Sequence, residues 1–274
     1  MAIVDALMAR GLWHGWNGIN AALSAALSAK TLSARLIPVL GRSVRRDLRV
    51  LRFEAKRALL ARTQPSAVRQ YLKTHNPRCL QIGAGSTPLQ GWLNTDLVPQ
   101  SKDVVFLDVA EPLPFSANEL DFIFHEHMIH QISHEAAAYL LDECFRVLKP
   151  NGRMRVATPD LQFLVDIYLG SHHTETQEKF VRRTLDLAFP KTGFYHGGFV
   201  VNHFIRGWDH QFIYDEATLS EALRRARFSN IRRWPVGVSD EPVFQNIERH
   251  GQVISEEFNL LETMVLEAQK PAEP

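Results

Sequence analysis

Cysteine is nearly absent: only Cys79 and Cys144 occur among 274 residues. Neither has a partner at ligand spacing, which excludes a disulfide framework and a zinc knuckle and fits a reducing cytoplasm. Long apolar runs are missing as well. Residues 11–29 carry no formal charge, yet His14, Asn17, Asn20, Ser24 and Ser28 make them too polar for a membrane span. The start carries Asp5 and lacks a compact apolar core before a cleavage site, which argues against a secretory signal. No long internal repeat or low-complexity tract is visible. The H-E-x-x-H order of many zinc enzymes is absent too, because Glu135 follows His130 and His134 instead of standing between them.

What is present is an ordinary globular composition, 45% hydrophobic and 22% charged, with an uneven charge distribution. Residues 1–62 hold 11 Lys and Arg against 3 Asp and Glu, a net +8, and the remainder hold 20 against 27, a net −7. Such asymmetry implies that the N-terminal segment meets something anionic. Residues 3–30 read as a helix and 42–62 as a clearer one. In the latter, Val44, Leu48, Leu51, Ala55 and Leu59 form one stripe and six Arg and Lys cover the rest. A basic face of this kind suits an anionic membrane surface, a solvated packing helix, or nucleic acid, which is the least favoured of the three. Gln64-Pro65-Ser66 is expected to break the chain before a short helix at Ala67–Lys73.

The chain is organised around Arg78–Asp96. A short apolar run, Cys79-Leu80-Gln81-Ile82, has the length of a buried strand and breaks into Gly83-Ala84-Gly85. A second run, Trp92–Thr95, ends on Asp96. Strand, glycine turn and strand-end carboxylate are how doubly wound α/β proteins hold an adenosine group against bare backbone. The third glycine of the dinucleotide fingerprint is missing, and Pro88 discourages a helix through the phosphate position. A pyrophosphate ligand is therefore disfavoured, and S-adenosylmethionine fits better.

Together with residues 107–127 and 145–161, this stretch resembles the class I S-adenosylmethionine-dependent methyltransferases. The likeness is to a bacterial subgroup with a G-W-x-N-x-D second strand and a later N-H…W-x-H…Y-D segment, and it covers roughly 77–270. That subgroup usually shows a glutamate and a histidine where His130 and Gln131 stand here. The resemblance implies a Rossmann-like sheet, mostly parallel with a C-terminal antiparallel strand, flanked by helices and preceded by an N-terminal helical segment. It implies a domain at 77–270 after a basic segment at 1–76. It also places Gly83, Ala84, Gly85, Asp96, Leu97, Asp108, Val109 and His125 at the cofactor, with Asp108 accepting from the adenine amine.

From Pro77 onward short apolar strands alternate with helices, which predicts a parallel sheet. Strands are expected at Val104–Leu107, Leu120–Phe124 and Arg153–Ala157, with a helix at Glu135–Leu148. The last helix is expected at Ala217–Ala226, followed by strands near Ile231–Val238 and Leu261–Leu266. Residues 161–215 break the alternation and read as a substrate lid, because an insertion after a strand's carboxyl end sits over the ligand crevice.

Nine of the twelve histidines fall between 125 and 210. The spacing of His125, His127, His130 and His134 invites a metal, but convergent ligands are not indicated, and no metal is expected. His127 at a strand end, His210 in Trp208-Asp209-His210, and Asp160 after the fifth strand are the candidate catalytic groups. A histidine there can take a proton from an acceptor hydroxyl. The Asn/Asp-Pro-Pro-aromatic segment of many base-amino methyltransferases is absent, and Thr158-Pro159-Asp160-Leu161 stands in its place, which favours oxygen as the acceptor atom. The expected activity is O-methylation of a small-molecule or glycan hydroxyl in the cytoplasm, with a lipid-linked glycan among the candidate acceptors and the inner face of the membrane as a candidate location. The alternatives are a nucleic-acid methyltransferase and an inactive methyltransferase-like binding protein.

Overall fold

The computed structural model describes residues 42–170 and 174–272. The helix expected at 3–30 lies outside them. The chain divides into two compact units, Met1–Arg62 and Thr63–Pro274. Helix α1 spans Arg42–Thr74 without interruption, with Pro65 inside it, so the expected break is corrected. An interior proline loses the bond its own N–H would make and crowds the carbonyl four residues back, but neighbouring side chains tie the backbone down there. Ser66 Oγ donates to the Thr63 carbonyl at 2.8 Å, and Gln64 Nε2 donates to the Phe106 carbonyl at 2.8 Å. Among the described residues no helix is long and apolar enough to cross a membrane.

Seven strands form one sheet: β1 (Cys79–Ile82), β2 (Leu93–Asp96), β3 (Val104–Phe106), β4 (Leu120–Glu126), β5 (Leu148–Pro159), β6 (Ser229–Trp234) and β7 (Thr263–Gln269). Their order is β3-β2-β1-β4-β5-β7-β6. The first five pair in parallel, and β7 runs antiparallel between β5 and β6. The order reverses at β1, and that is where an open α/β sheet offers a ligand crevice. Ile82 lies opposite Thr95 and His125, Asp96 opposite Phe106, and Glu126 opposite Ala157. Register therefore brings the glycine turn, Asp96 and the residues after Glu126 to one edge. β5 is longer than expected: it already begins at Leu148, which pairs with Leu120, and regular pairing resumes at Arg153 after an irregularity.

Helix α2 (His134–Val147) and helix α6 (Glu216–Arg225) pack on one face over Leu80, Ile123, Met154 and Leu266. The other face buries Phe124, Phe244, Ile247 and Val265. The insertion between β5 and α6 has its own core. Helices α3 (Leu161–Leu169), α4 (Glu175–Ala188) and α5 (Gly197–Arg206) enclose Phe163, Phe180, Val200 and Phe204. Two short helices that the sequence reading missed, α7 (Gly251–Ile254) and α8 (Glu256–Glu262), lead into β7, and Phe258 of α8 joins the insertion's core.

Arg155 of β5 has no exposed surface, although it carries a charge. Its Nε donates to Glu248 and its Nη1 to Glu267, both at 2.5 Å, and Nη1 also reaches the Val238 carbonyl at 2.9 Å. Glu248 accepts the Gly237 N–H with its other oxygen at 2.9 Å. One guanidinium thus ties the loop after β6 to the sheet. Replacing Arg155 by Met leaves two buried carboxylates without a counter-charge, so stability should fall by about 3–5 kcal/mol. Denaturant unfolding tests this. The triple change R155M/E248Q/E267Q should regain part of the loss, whereas an R155M variant as stable as the wild type would show that the triad holds nothing.

Candidate active site

The sheet edge carries a cleft of about 440 Å³ lined by Gly83, Ala84, Gly85, Asp96, Leu97, Asp108 and Val109 among others. Gly83 and Gly85 sit at φ of +72° and +52°, a region that side chains disfavour. A Cβ on Gly83 would lie 2.9 Å from Met128, while one on Gly85 would meet no atom within 4 Å. The turn is pinned to β2 by Ala84 N–H to the Thr95 carbonyl at 2.9 Å. Asp96 completes it: one carboxylate oxygen accepts from Gly85 N–H at 2.9 Å and the other from Val98 N–H at 2.7 Å. Each oxygen retains a further lone pair toward the cleft. Bare backbone, a carboxylate acceptor and Asp108 at the next strand end fit the adenosine half of S-adenosylmethionine.

His125 is the exception among the expected cofactor residues. It has no exposed surface, lines neither this cleft nor the cavity described next, and finds no partner for either ring nitrogen. Period-two alternation turns it into the sheet's α2 side, and burial pushes its pKa down to about 4. Asp160 also stands apart from the other expected site residues. Its Oδ1 accepts the Gln162 N–H at 2.9 Å as the N-cap of α3, and its Oδ2 pairs with Arg233 at 2.7 Å. Both oxygens are thus engaged, and Asp160 lines neither cavity.

A second cavity of about 320 Å³ opens between the insertion and α7–α8. Its walls are Pro159, Phe180, Leu187, Phe204, Trp208 and Phe258. His127, Gln131, His250 and Val253 line both cavities, so the two meet there. His127 follows β4 at φ +48°, an unusual conformation for a side-chain-bearing residue and one often found at functional sites. Its ring stacks on His250 at 3.6 Å and meets His130 edge-on at 5.6 Å; His130 in turn meets His210 at 4.5 Å.

Hydrogen bonding assigns the free nitrogen on three of these rings. Thr263 Oγ donates to Asn259 Oδ1 at 2.9 Å, so it accepts from His127 Nε2–H at 3.1 Å and leaves His127 Nδ1 as an open acceptor. The Phe204 carbonyl, 2.7 Å from His210 Nδ1, can only accept, leaving His210 Nε2 open. Glu262, 3.2 Å from His250 Nε2, does the same for His250 Nδ1. Burial lowers the pKa of His127 and His210, and lowers that of His130 to about 3. His127, His130 and His210 are therefore neutral at pH 7. His127, His250 and Glu262 lie close enough to hold a metal ion. However, two rings stacked 19° from parallel send their in-plane lone pairs side by side rather than to one point. This geometry suits hydrogen bonding better than coordination.

Sequence reasoning missed His250 and Glu262, which stand over 120 residues from His127. Their placement comes from Glu126, whose carboxylate accepts the backbone N–H of Arg249 at 2.9 and 3.0 Å and of His250 at 3.0 Å. Burial raises the pKa of Glu126, and those N–H donors oppose the rise.

If His125 serves only the core, then His125→Leu should hold or raise the melting temperature, because it removes two buried polar atoms without partners, each costing about 1–3 kcal/mol. Cofactor affinity measured by calorimetry should not change. A large loss of affinity would return His125 to the cofactor site.

The family model described as a methyltransferase domain matches residues 80–156. No curated protein matches the chain in sequence. Among solved structures, a methyltransferase of Archaeoglobus fulgidus is 17% identical, with 80% of this chain and 94% of that chain covered and a TM-score of 0.41. One of Thermotoga maritima is 16% identical, with 81% and 97% covered and a TM-score of 0.41. Phosphoethanolamine N-methyltransferase 2 of Haemonchus contortus, solved with S-adenosyl-L-methionine, is 16% identical, with 72% and 49% covered and a TM-score of 0.37. The matched residues run from the first strand into the fifth, the part of the sheet that builds the glycine turn and its carboxylate. Over residues 80–156 the match to a methyltransferase domain and the geometry of the cleft both point to S-adenosylmethionine as the cofactor and to methyl transfer as the reaction.

Proposed function

We propose that the enzyme methylates a hydroxyl oxygen of a small acceptor that enters the second cavity, with His127 as the general base. The carrying observation is that the two cavities meet at His127, whose Nδ1 is the open nitrogen of a neutral ring. The bound cofactor supplies an activated methyl group on a sulfonium. The protein's share is alignment, which accounts for much of the acceleration in such transfers, and removal of the hydroxyl proton. His127 Nδ1 takes that proton, and the resulting imidazolium lies against the His250 ring, with the Glu262 carboxylate next in line. His210 orients the hydroxyl through Nε2.

Replacing His127 by Ala should lower turnover on the order of 10²–10⁴-fold with cofactor affinity unchanged. Asp96→Ala should do the reverse, weakening S-adenosylmethionine binding by about 1.5–3 kcal/mol. Because His127 titrates below its ordinary value, the rate should hold down to pH 6.5 and fall only in more acid solution as the base protonates. Glu262→Gln removes a stabilising charge and should move that acid limb to still lower pH. Near-normal turnover in His127→Ala, with His210→Ala inactive, would reverse the two roles. If both variants keep their rate, positioning alone accounts for catalysis.

The basic charge of residues 1–62 supports attachment to an anionic membrane on the cytoplasmic side, each charge near the surface contributing about 1 kcal/mol. The full chain should sediment with anionic vesicles, not with neutral ones, and high salt should release it. Equal binding to both vesicle types would refute the attachment.

A further inference from the structure

We infer that the acceptor is an aromatic hydroxy acid, bound with its hydroxyl inward and its carboxylate at Arg183; this rests on the acceptor site proposed above. The cavity walls are mainly aromatic and aliphatic, which suits a flat apolar body better than a free sugar. Phe180 and Phe258 meet edge-on at 5.3 Å, and Phe204 and Trp208 at 5.3 Å, leaving ring faces and edges to receive another ring. At about 320 Å³ the space takes one or two fused rings.

Charge sets the direction. Two ionic groups line the cavity, Glu262 and Arg183. Glu262 is buried and engaged by His250, so an anionic end of the ligand is repelled there. Arg183 is exposed and pairs with no carboxylate among the described residues. Its charged neighbours on α4 are otherwise occupied: Lys179 pairs with Glu175 at 2.8 Å, and Asp186 accepts from Tyr195 at 2.6 Å. The guanidinium instead lies 5.6 Å from the Phe258 ring, beside the cavity. A planar fork of donors at an apolar mouth matches a carboxylate in two-point contact. Leu187, Trp208 and Val253 around it are 73%, 54% and 63% exposed, an apolar surface that a bound ring would cover.

The test offers the full-length enzyme a series of hydroxyphenyl carboxylic acids and their uncharged carboxamides, with release of S-adenosylhomocysteine as the readout. The acids should be preferred in kcat/KM by about tenfold, the worth of one charged hydrogen-bonded contact. Arg183→Gln should erase the preference by raising KM for the acids alone, and Arg183→Lys should restore part of it. Amides turned over as well as acids, or a preference that survives in Arg183→Gln, would overturn the assignment. So would S-adenosylmethionine binding without methylation of any member of the series. Methylation of uncharged phenols without preference for acids would remove the carboxylate but keep the proposed reaction. Failure to bind S-adenosylmethionine at all would remove both.

Discussion

A charge taken out of water must find its counter-charge at once, and the Arg155 triad shows how much can be built on that requirement. By gripping Glu248 it fixes the loop after β6 against the far face of the sheet. The next two residues of that loop are caught by Glu126 through their backbone N–H groups. A buried ion pair on β5 and a β4 carboxylate that accepts backbone N–H groups thus settle where His250 stands, and His250 is the ring that covers His127. The place of the His127–His250 stack at one edge of the sheet thus depends on a charge balanced in its interior.

The histidines illustrate how one residue type takes different roles from its surroundings. His125 faces a dry core and has nothing to bond. His127, only two residues on, has left the strand with positive φ and found a hydroxyl partner. Both lose proton affinity to burial, yet only the second has an open nitrogen facing a cavity. Proximity in sequence says little here, because strand alternation and the strand's end separate the two.

What could be read from the sequence were features governed by local rules. Cys79–Asp96 shows its strand, turn and carboxylate because glycine freedom and apolar run length act over a few residues. The fold class follows from the alternation of strands and helices. The rest depended on partners far along the chain. Pro65 looks like a breaker until Gln64 is seen bonded to Phe106. Asp160 looks catalytic at a strand end, yet the helix it begins and Arg233, 73 residues away, use both its oxygens. His250 and Glu262 carry no motif at all and matter only because Glu126 and the turn into β7 deliver them.

The connection between β5 and α6 gives the molecule a nearly linear division of labour. Up to Pro159 the chain builds the cofactor cleft, and most walls of the second cavity are encoded after it. The insertion packs a core of its own, so substitutions among its aromatics need not be felt by the glycine turn. A lineage could therefore reshape the second cavity by changing residues 161–215 while leaving the glycine turn and its carboxylate untouched. The residues that border both spaces, His127 and Gln131 with the stretch around His250, would constrain such drift.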